Sequence, residues 1–231
     1  RGLAIALAAG AVLRVAADRR RRRRMLHSGR LRELAGRWVE VDGCRVHAYV
    51  ADHGRGGVPV VMVHGWGISG AYFMPTAERV AADLPVYVPD LPGHGRSDAP
   101  ARPLDVPGFA EALARWLDAV GLDRVPLVGH SMGCQVVAEA ALRHPERVDR
   151  LVLIGPTPDL AARSLAGQMP RLLAGGLFER PSLNRHVVRD YARMGRRLIP
   201  EFRAMLRDPI DDKLPRLQLP VMVVRGGRDT V

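Results

Sequence analysis

The stretch that most constrains this chain is Val125–Gln135, which reads Val-Pro-Leu-Val-Gly-His-Ser-Met-Gly-Cys-Gln. A short apolar run (Val125, Leu127, Val128) stops at Gly129-His130-Ser131-Met132-Gly133. A helix-like apolar segment (Val136, Val137, Ala138, Ala140, Ala141, Leu142) then begins at once. A serine at the tip of so tight a strand-to-helix corner must adopt a strained backbone conformation. Only glycine at 129 and 133 leaves room for strand and helix to pass each other. The corner holds the Ser131 hydroxyl out of the sheet, and the N–H of Met132 points to the same side at a helix N-terminus. A nucleophile and half of an oxyanion site are thereby delivered together. The plain alternative is an ordinary strand-to-helix turn, and the rest of the chain weighs against it.

Taken in order, Trp38–Val41 and Arg45–Ala51 flank Asp42-Gly43, which reads as a hairpin turn. His47 and His53 fall on or beside these strands and are read as surface residues. Val58–Val63 is a continuous apolar run, as expected of a buried strand, and it ends in His64-Gly65-Trp66-Gly67. Met74–Leu84 reads as a helix and Val86–Val88 as the next strand, which runs into Asp90-Leu91-Pro92-Gly93-His94-Gly95-Arg96-Ser97. Asp105–Val120 is amphipathic (Phe109, Leu113, Trp116, Leu117, Val120) and closed by Gly121. The serine strand and its helix follow, then a buried strand at Val148–Ile154.

Alternating strands and helices predict an α/β fold, a mostly parallel central sheet with helices on both faces. Active residues then belong beyond the carboxyl ends of strands, where His64, Asp90, Ser131 and Gly155 all fall. Thr157–Pro215 departs from the alternation. It has no strand-like run and three helical patches, near 161–178, 183–194 and 199–206, which predicts a helical insertion lying over the sheet as a lid. Its large apolar residues, Met194 and Met205 among them, read as core before substrate contacts. The strand Val221–Val224 then returns the chain to the sheet and Arg225-Gly226-Gly227-Arg228-Asp229-Thr230-Val231 follows. The domain reading is therefore 1–37 tail, 38–156 core, 157–215 lid and 216–231 core continuation.

Charge decides the partner class. The net charge is +11, but residues 1–37 hold eleven arginines against Asp18 and Glu33, a net of +9, leaving +2 on residues 38–231. The basic character is thus assigned to the tail, and no aromatic residue interleaves with Arg19–Arg24 to stack on bases, so no nucleic-acid partner is expected. Gly2–Val12 is apolar but shorter than the roughly twenty residues of a spanning helix. Residues 1–24 read either as the remnant of a membrane anchor held by its arginines or as a disordered leader. Cys44 and Cys134 form no disulfide framework or zinc spacing, and both read as small buried hydrophobes. Such usage points to a reducing, cytoplasmic compartment, with membrane association through residues 1–24 as the added possibility.

With the serine corner, His64-Gly65-Trp66-Gly67, the Asp90–Ser97 loop and Gly226-Gly227-Arg228-Asp229 in this order, residues 38–231 resemble the α/β-hydrolases. The nearest resemblance is to lidded esterases, carbon–carbon bond hydrolases and cofactor-free haloperoxidase-like enzymes. It implies Ser131 as nucleophile, the backbone N–H groups of Met132 and Trp66 as oxyanion hole, and Asp229 as the acid that orients a histidine. It implies structural roles for His64, Gly65, Gly129, His130 and Gly133, and no metal or organic cofactor. The expected substrate is a small hydrophobic acyl or ester compound. Perhydrolysis, acyl transfer and non-catalytic binding of a small molecule remain as alternatives on the same residues. One departure stands out: the family's histidine follows its acid, whereas the last histidine here is His186. A carboxy-terminal truncation is therefore expected, and poor activity from these 231 residues alone.

Overall fold

A two-residue turn at Asp42-Gly43, with φ of 52° and 74°, joins β1 (Ala35–Val41) to β2 (Cys44–Ala51). Positive φ at both positions matches the right-handed twist of the flanking strands, which is why Asp-Gly serves here. This is a computed structural model, and it describes residues 17, 20–26, 32–52, 56–156, 167 and 181–226. Beyond the hairpin come β3 (Val60–Val63), α1 (Met74–Val80), β4 (Val86–Pro89), α2 (Val106–Ala119), β5 (Val125–His130), α3 (Met132–Arg143) and β6 (Val148–Ile154). α4 (Pro181–Met194), α5 (Leu198–Leu206) and β7 (Val221–Val224) complete the order.

The seven strands lie in the order β1-β2-β4-β3-β5-β6-β7. β1, β2 and β4 pair antiparallel, and from β4 onward every pairing is parallel. The apolar run of β3 explains itself through the pleat. Val61 and Val63 join the core beneath α2 and α3, with Phe109, Leu113, Trp116 and Val137, whereas Val60 and Met62 join Phe73, Ala77 and Ala81 beneath α1. Burying such a side chain stabilises by roughly 1.5–3 kcal/mol, so a strand covered on both faces needs an apolar residue at each position. Asp105 caps α2, its carboxylate accepting from Gly108 N–H at 2.8 Å, and Gly121 (φ 71°) ends that helix. Both boundaries match the amphipathic stretch.

Several expectations are corrected. His47 is fully buried, because β2 is an interior strand between β1 and β4. Cys44 is only partly buried at the hairpin turn, while Cys134 is fully enclosed and burial pushes its thiol up to about 12. The helix expected over 74–84 stops at Val80, before Pro85. His53, the helical patch at 161–178 apart from Gly167, and Asp229 lie outside the described residues.

The chain leaves β3 for β4 on one side and reaches β5 on the other, so the direction of winding reverses between β3 and β5. A crevice opens beyond the carboxyl ends of strands at such a reversal. β3 ends there in His64-Gly65-Trp66, and β5 ends there in His130-Ser131.

Candidate functional site

Ser131 has φ 54° and ψ −123°, one of two non-glycine residues with positive φ among those described. Its N–H donates to Ile154 O at 3.0 Å and its carbonyl accepts from Cys134 N–H at 2.9 Å. The sheet and the first turn of α3 thus hold the corner from both sides. The flanking glycines have nothing to spare. A Cβ at Gly129 would lie 2.6 Å from Gly133 O, and one at Gly133 would lie 2.2 Å from Val63 O. Met132 opens α3, so its N–H has no partner within the helix.

Opposite the serine runs the loop that leaves β3. A Cβ at Gly65 would sit 2.9 Å from Ser131 Cβ and 3.4 Å from Ser131 Oγ, so the backbone leading into Trp66 lies against the serine. His64 holds this loop from below. Its Nδ1–H donates to Gly65 O at 2.9 Å and its Nε2 accepts from Leu91 N–H at 2.9 Å, which fixes one neutral tautomer. Burial keeps the ring's pKa below the usual imidazole value. The His130 ring stacks on Tyr72 at 4.9 Å.

The loop's far end is tied by Asp90, wholly buried at the end of β4. Its carboxylate accepts from Gly70 N–H at 2.7 Å, Arg96 N–H at 3.0 Å and His47 Nδ1–H at 2.9 Å. Gly95 is glycine for this reason: with φ 54°, its Cβ would fall 2.4 Å from the Asp90 carboxylate.

Two further ties come from α4 and α5, and the sequence reading missed both. Ser69 occupies the N-cap of the turn Gly70–Phe73 but makes no cap bond; its hydroxyl donates instead to Asp190 Oδ2 on α4 at 2.5 Å. Both residues are buried. Trp66 Nε1–H donates to Leu198 O at 3.0 Å, and its ring packs on Phe202 at 4.5 Å and Tyr191 at 5.2 Å. A signal for Asp190 did exist: it shares the inward stripe of α4 with Val187, Tyr191 and Met194, where an acid is out of place.

A third missed pair lies below. Glu201 on α5 comes within 3.5 Å of His94 Nε2, both side chains fully enclosed beside His64, Phe109 and Arg197. Burial pushes the Glu201 carboxyl up to about 7, with Arg197 opposing. Burial, then the neighbouring His64, holds His94 well below the usual imidazole range. The raised carboxyl contributes stability that is lost as pH climbs from about 4.5 to 7. The depressed imidazole contributes stability that is lost as pH falls below about 6.5. The slopes oppose, so the Glu201 carboxyl offsets part of the stability that buried His94 and His64 lose on acidification. In Glu201→Gln that offset is absent, and between about pH 7 and 4.5 stability should drop on acidification more steeply than in wild type, by up to ~1.4 kcal/mol per pH unit. Thermal melts from pH 4.5 to 7 measure this; a variant that follows wild type at every pH would refute it.

Among the described residues no group of three or more His, Cys, Asp or Glu converges as metal ligands. A cavity of about 330 Å³ lined by Trp38, Tyr87 and Trp116 lies between the hairpin and α2, away from Ser131.

The family model for the alpha/beta hydrolase fold matches residues 58–185, more than half of the chain. The chain belongs to the alpha/beta hydrolase fold family. Among curated members of the family, it is 40% identical over 103 residues to a pimeloyl-[acyl-carrier protein] methyl ester esterase of Chromobacterium violaceum, covering 44% of this chain and 38% of that one. It is 35% identical over 113 residues to a 1-acylglycerol-3-phosphate O-acyltransferase of Sus scrofa, covering 45% and 32%. The chain thus spans well under half the length of these relatives. Among solved structures of the fold, a bacterial membrane phospholipase A superposes with a TM-score of 0.71 at 26% identity, over 99% of this chain and 81% of that one. An N-acyl homoserine lactonase superposes at 0.67 with 26% identity, over 85% and 79%.

Proposed function

We propose that this alpha/beta hydrolase is a serine esterase working through an acyl-enzyme, on small substrates with a hydrophobic acyl group. The observation that carries the reading is the strained Ser131 at the reversal between β3 and β5, facing the Gly65–Trp66 backbone. Ser131 Oγ attacks the ester carbonyl carbon while its proton passes to a histidine outside the described residues. The oxyanion that forms accepts from the N–H groups of Met132 and Trp66. Collapse breaks the bond to the leaving alcohol, which takes the proton from the histidine; water, deprotonated in turn, then releases the acid. Asp229 orients the histidine. Among the described histidines, His47 is paired with Asp90 and His64 with the Gly65 loop, His94 lies beside Glu201 and His144 beside Glu111, and His130 stacks on Tyr72. Residues 157–215 act as the lid, whose Tyr191 and Phe202 pack on Trp66 of the core. Esterase, lactonase and acyltransferase relatives all support acyl chemistry.

The test treats the full-length gene product with a fluorophosphonate and maps the adduct by mass spectrometry. Modification of Ser131 together with turnover of p-nitrophenyl esters is expected. Turnover without an adduct at Ser131 would overturn the reading. Product analysis with added alcohol or peroxide separates hydrolysis from acyl transfer and perhydrolysis.

Asp190 is a positioning residue in this scheme, acting on the oxyanion loop through Ser69. Asp190→Ala should lower kcat on a short ester about tenfold with KM little changed, since it strands a buried hydroxyl. Asp190→Asn keeps an acceptor and should recover most of the loss. An increase in KM at unchanged kcat would place Asp190 in substrate binding instead.

A further inference from the structure

Residues 181–207, which span α4 and α5, carry seven arginines against two acids, a net charge of +5, while residues 38–180 carry −3. The small surplus of the folded body therefore conceals a strongly basic segment beside the site. Its charges are sorted by face. Both acids point inward, Asp190 being 3% and Glu201 1% exposed, so this segment presents no exposed carboxylate. Arg189, Arg193, Arg196 and Arg203 are exposed, Arg189 also pairing with Asp190 and Arg193 donating to Gly95 O. Between them stand Val188, 70% exposed, and Ile199, 53% exposed; Val188 is the most exposed large aliphatic among the described residues. Guanidinium groups interspersed with bare aliphatics and no anions is the composition of a face that rests at a bilayer surface.

A second basic strip is tied to α1 nearby. Arg22 pairs with Glu78 of α1, Nε donating to its two carboxylate oxygens at 2.8 and 2.9 Å; Glu78 is 4% exposed. That pair pins the helical turn 20–26 to the body and leaves Arg20, Arg21, Arg23 and Arg24 exposed. α1 continues directly from the turn Gly70–Phe73, and α4 packs on that turn. One stretch of chain, 69–80, thus carries both strips.

We infer that the outer face of α4 and α5, with the arginine turn beside it, docks on an anionic phospholipid bilayer. The arginines engage lipid phosphates. Val188 and Ile199 enter the acyl boundary. Docking places the segment next to Ser131 at the membrane, so that acyl substrates would reach the site from the lipid. This last consequence rests on the esterase reading; the docking does not.

Flotation of the full chain with vesicles tests the docking. Wild type should float with phosphatidylcholine vesicles containing about 30% phosphatidylglycerol, remain behind with pure phosphatidylcholine, and dissociate in high salt. Arg196→Glu/Arg203→Glu and Val188→Asp/Ile199→Asp should each lower the bound fraction at least about fivefold, with turnover of a water-soluble ester unchanged. If either pair loses its circular dichroism signal, Arg196→Gln/Arg203→Gln and Val188→Ser/Ile199→Ser replace them. Wild-type-like flotation of both pairs, with all binding lost on removal of residues 1–24, would overturn the docking face and leave the tail alone as anchor. Equal binding to both vesicle types would overturn the lipid charge requirement. Soluble-ester turnover that vanishes in Ser131→Ala while flotation persists shows that catalysis and docking stand or fall separately.

Discussion

Ser131→Ala should abolish fluorophosphonate labelling and reduce kcat on p-nitrophenyl esters by roughly 10⁴- to 10⁶-fold, with KM changed much less. The size of the loss follows from what the corner holds together. In the proposed mechanism, removing Oγ removes the covalent route, yet the proposed oxyanion donors survive because they are backbone groups. The N–H of Met132 is set by the start of α3, and that of Trp66 by the loop tied to His64, Asp90, Asp190 and Leu198. A residual rate above background should therefore remain. Alanine also relieves nothing, because φ 54° strains any side chain with a Cβ. The variant should keep the melting temperature of wild type within about 2 °C. Single-turnover rates and a thermal melt on the same preparation decide the matter. A variant retaining more than a tenth of wild-type kcat would remove Ser131 from the chemistry.

Much of this arrangement was legible in the sequence, for a reason visible at the corner. Its signals are local: Gly129, Ser131 and Gly133 act through backbone sterics within five residues, and the strand runs either side announce their own burial. The same holds for Asp42-Gly43 and Asp105. What the sequence hid are contacts between distant segments whose value depends on docking. Ser69 pairs with Asp190 across 121 positions, and His47 with Asp90 across 43. His47 was misplaced because a histidine in a hairpin reads as exposed until the strand order puts β2 inside. The charge sorting on α4 and α5 was hidden differently. Net charge over residues 38–231 averages a basic segment with an acidic remainder, and only the burial of Asp190 and Glu201 reveals which face is left.

Gly133→Ala should cost about 3–5 kcal/mol, a large share of the 5–15 kcal/mol that holds a typical domain together. The atoms a methyl group would meet are Val63 O at 2.2 Å, His64 O at 2.7 Å and Val63 C at 2.9 Å, all backbone at the end of β3. No side chain can swing aside. α3 must lift by about an ångström, and β3 is paired on both sides, to β4 and β5, so it cannot yield in its place. At roughly 2–4 °C per kcal/mol for a chain of this size, the melting temperature should fall by about 6–20 °C. Because the lifted helix carries Met132 and drags Ser131, kcat should fall about 100-fold as well. Gly121→Ala is the matched control. Its φ of 71° imposes backbone strain, yet nothing lies within 4 Å of the added Cβ, so it should cost only about 1–2 kcal/mol and leave kcat alone. Equal melting temperatures for the two variants would show that strand and helix do not cross in contact at Gly133, and the strained corner at Ser131 would lose its mechanical support.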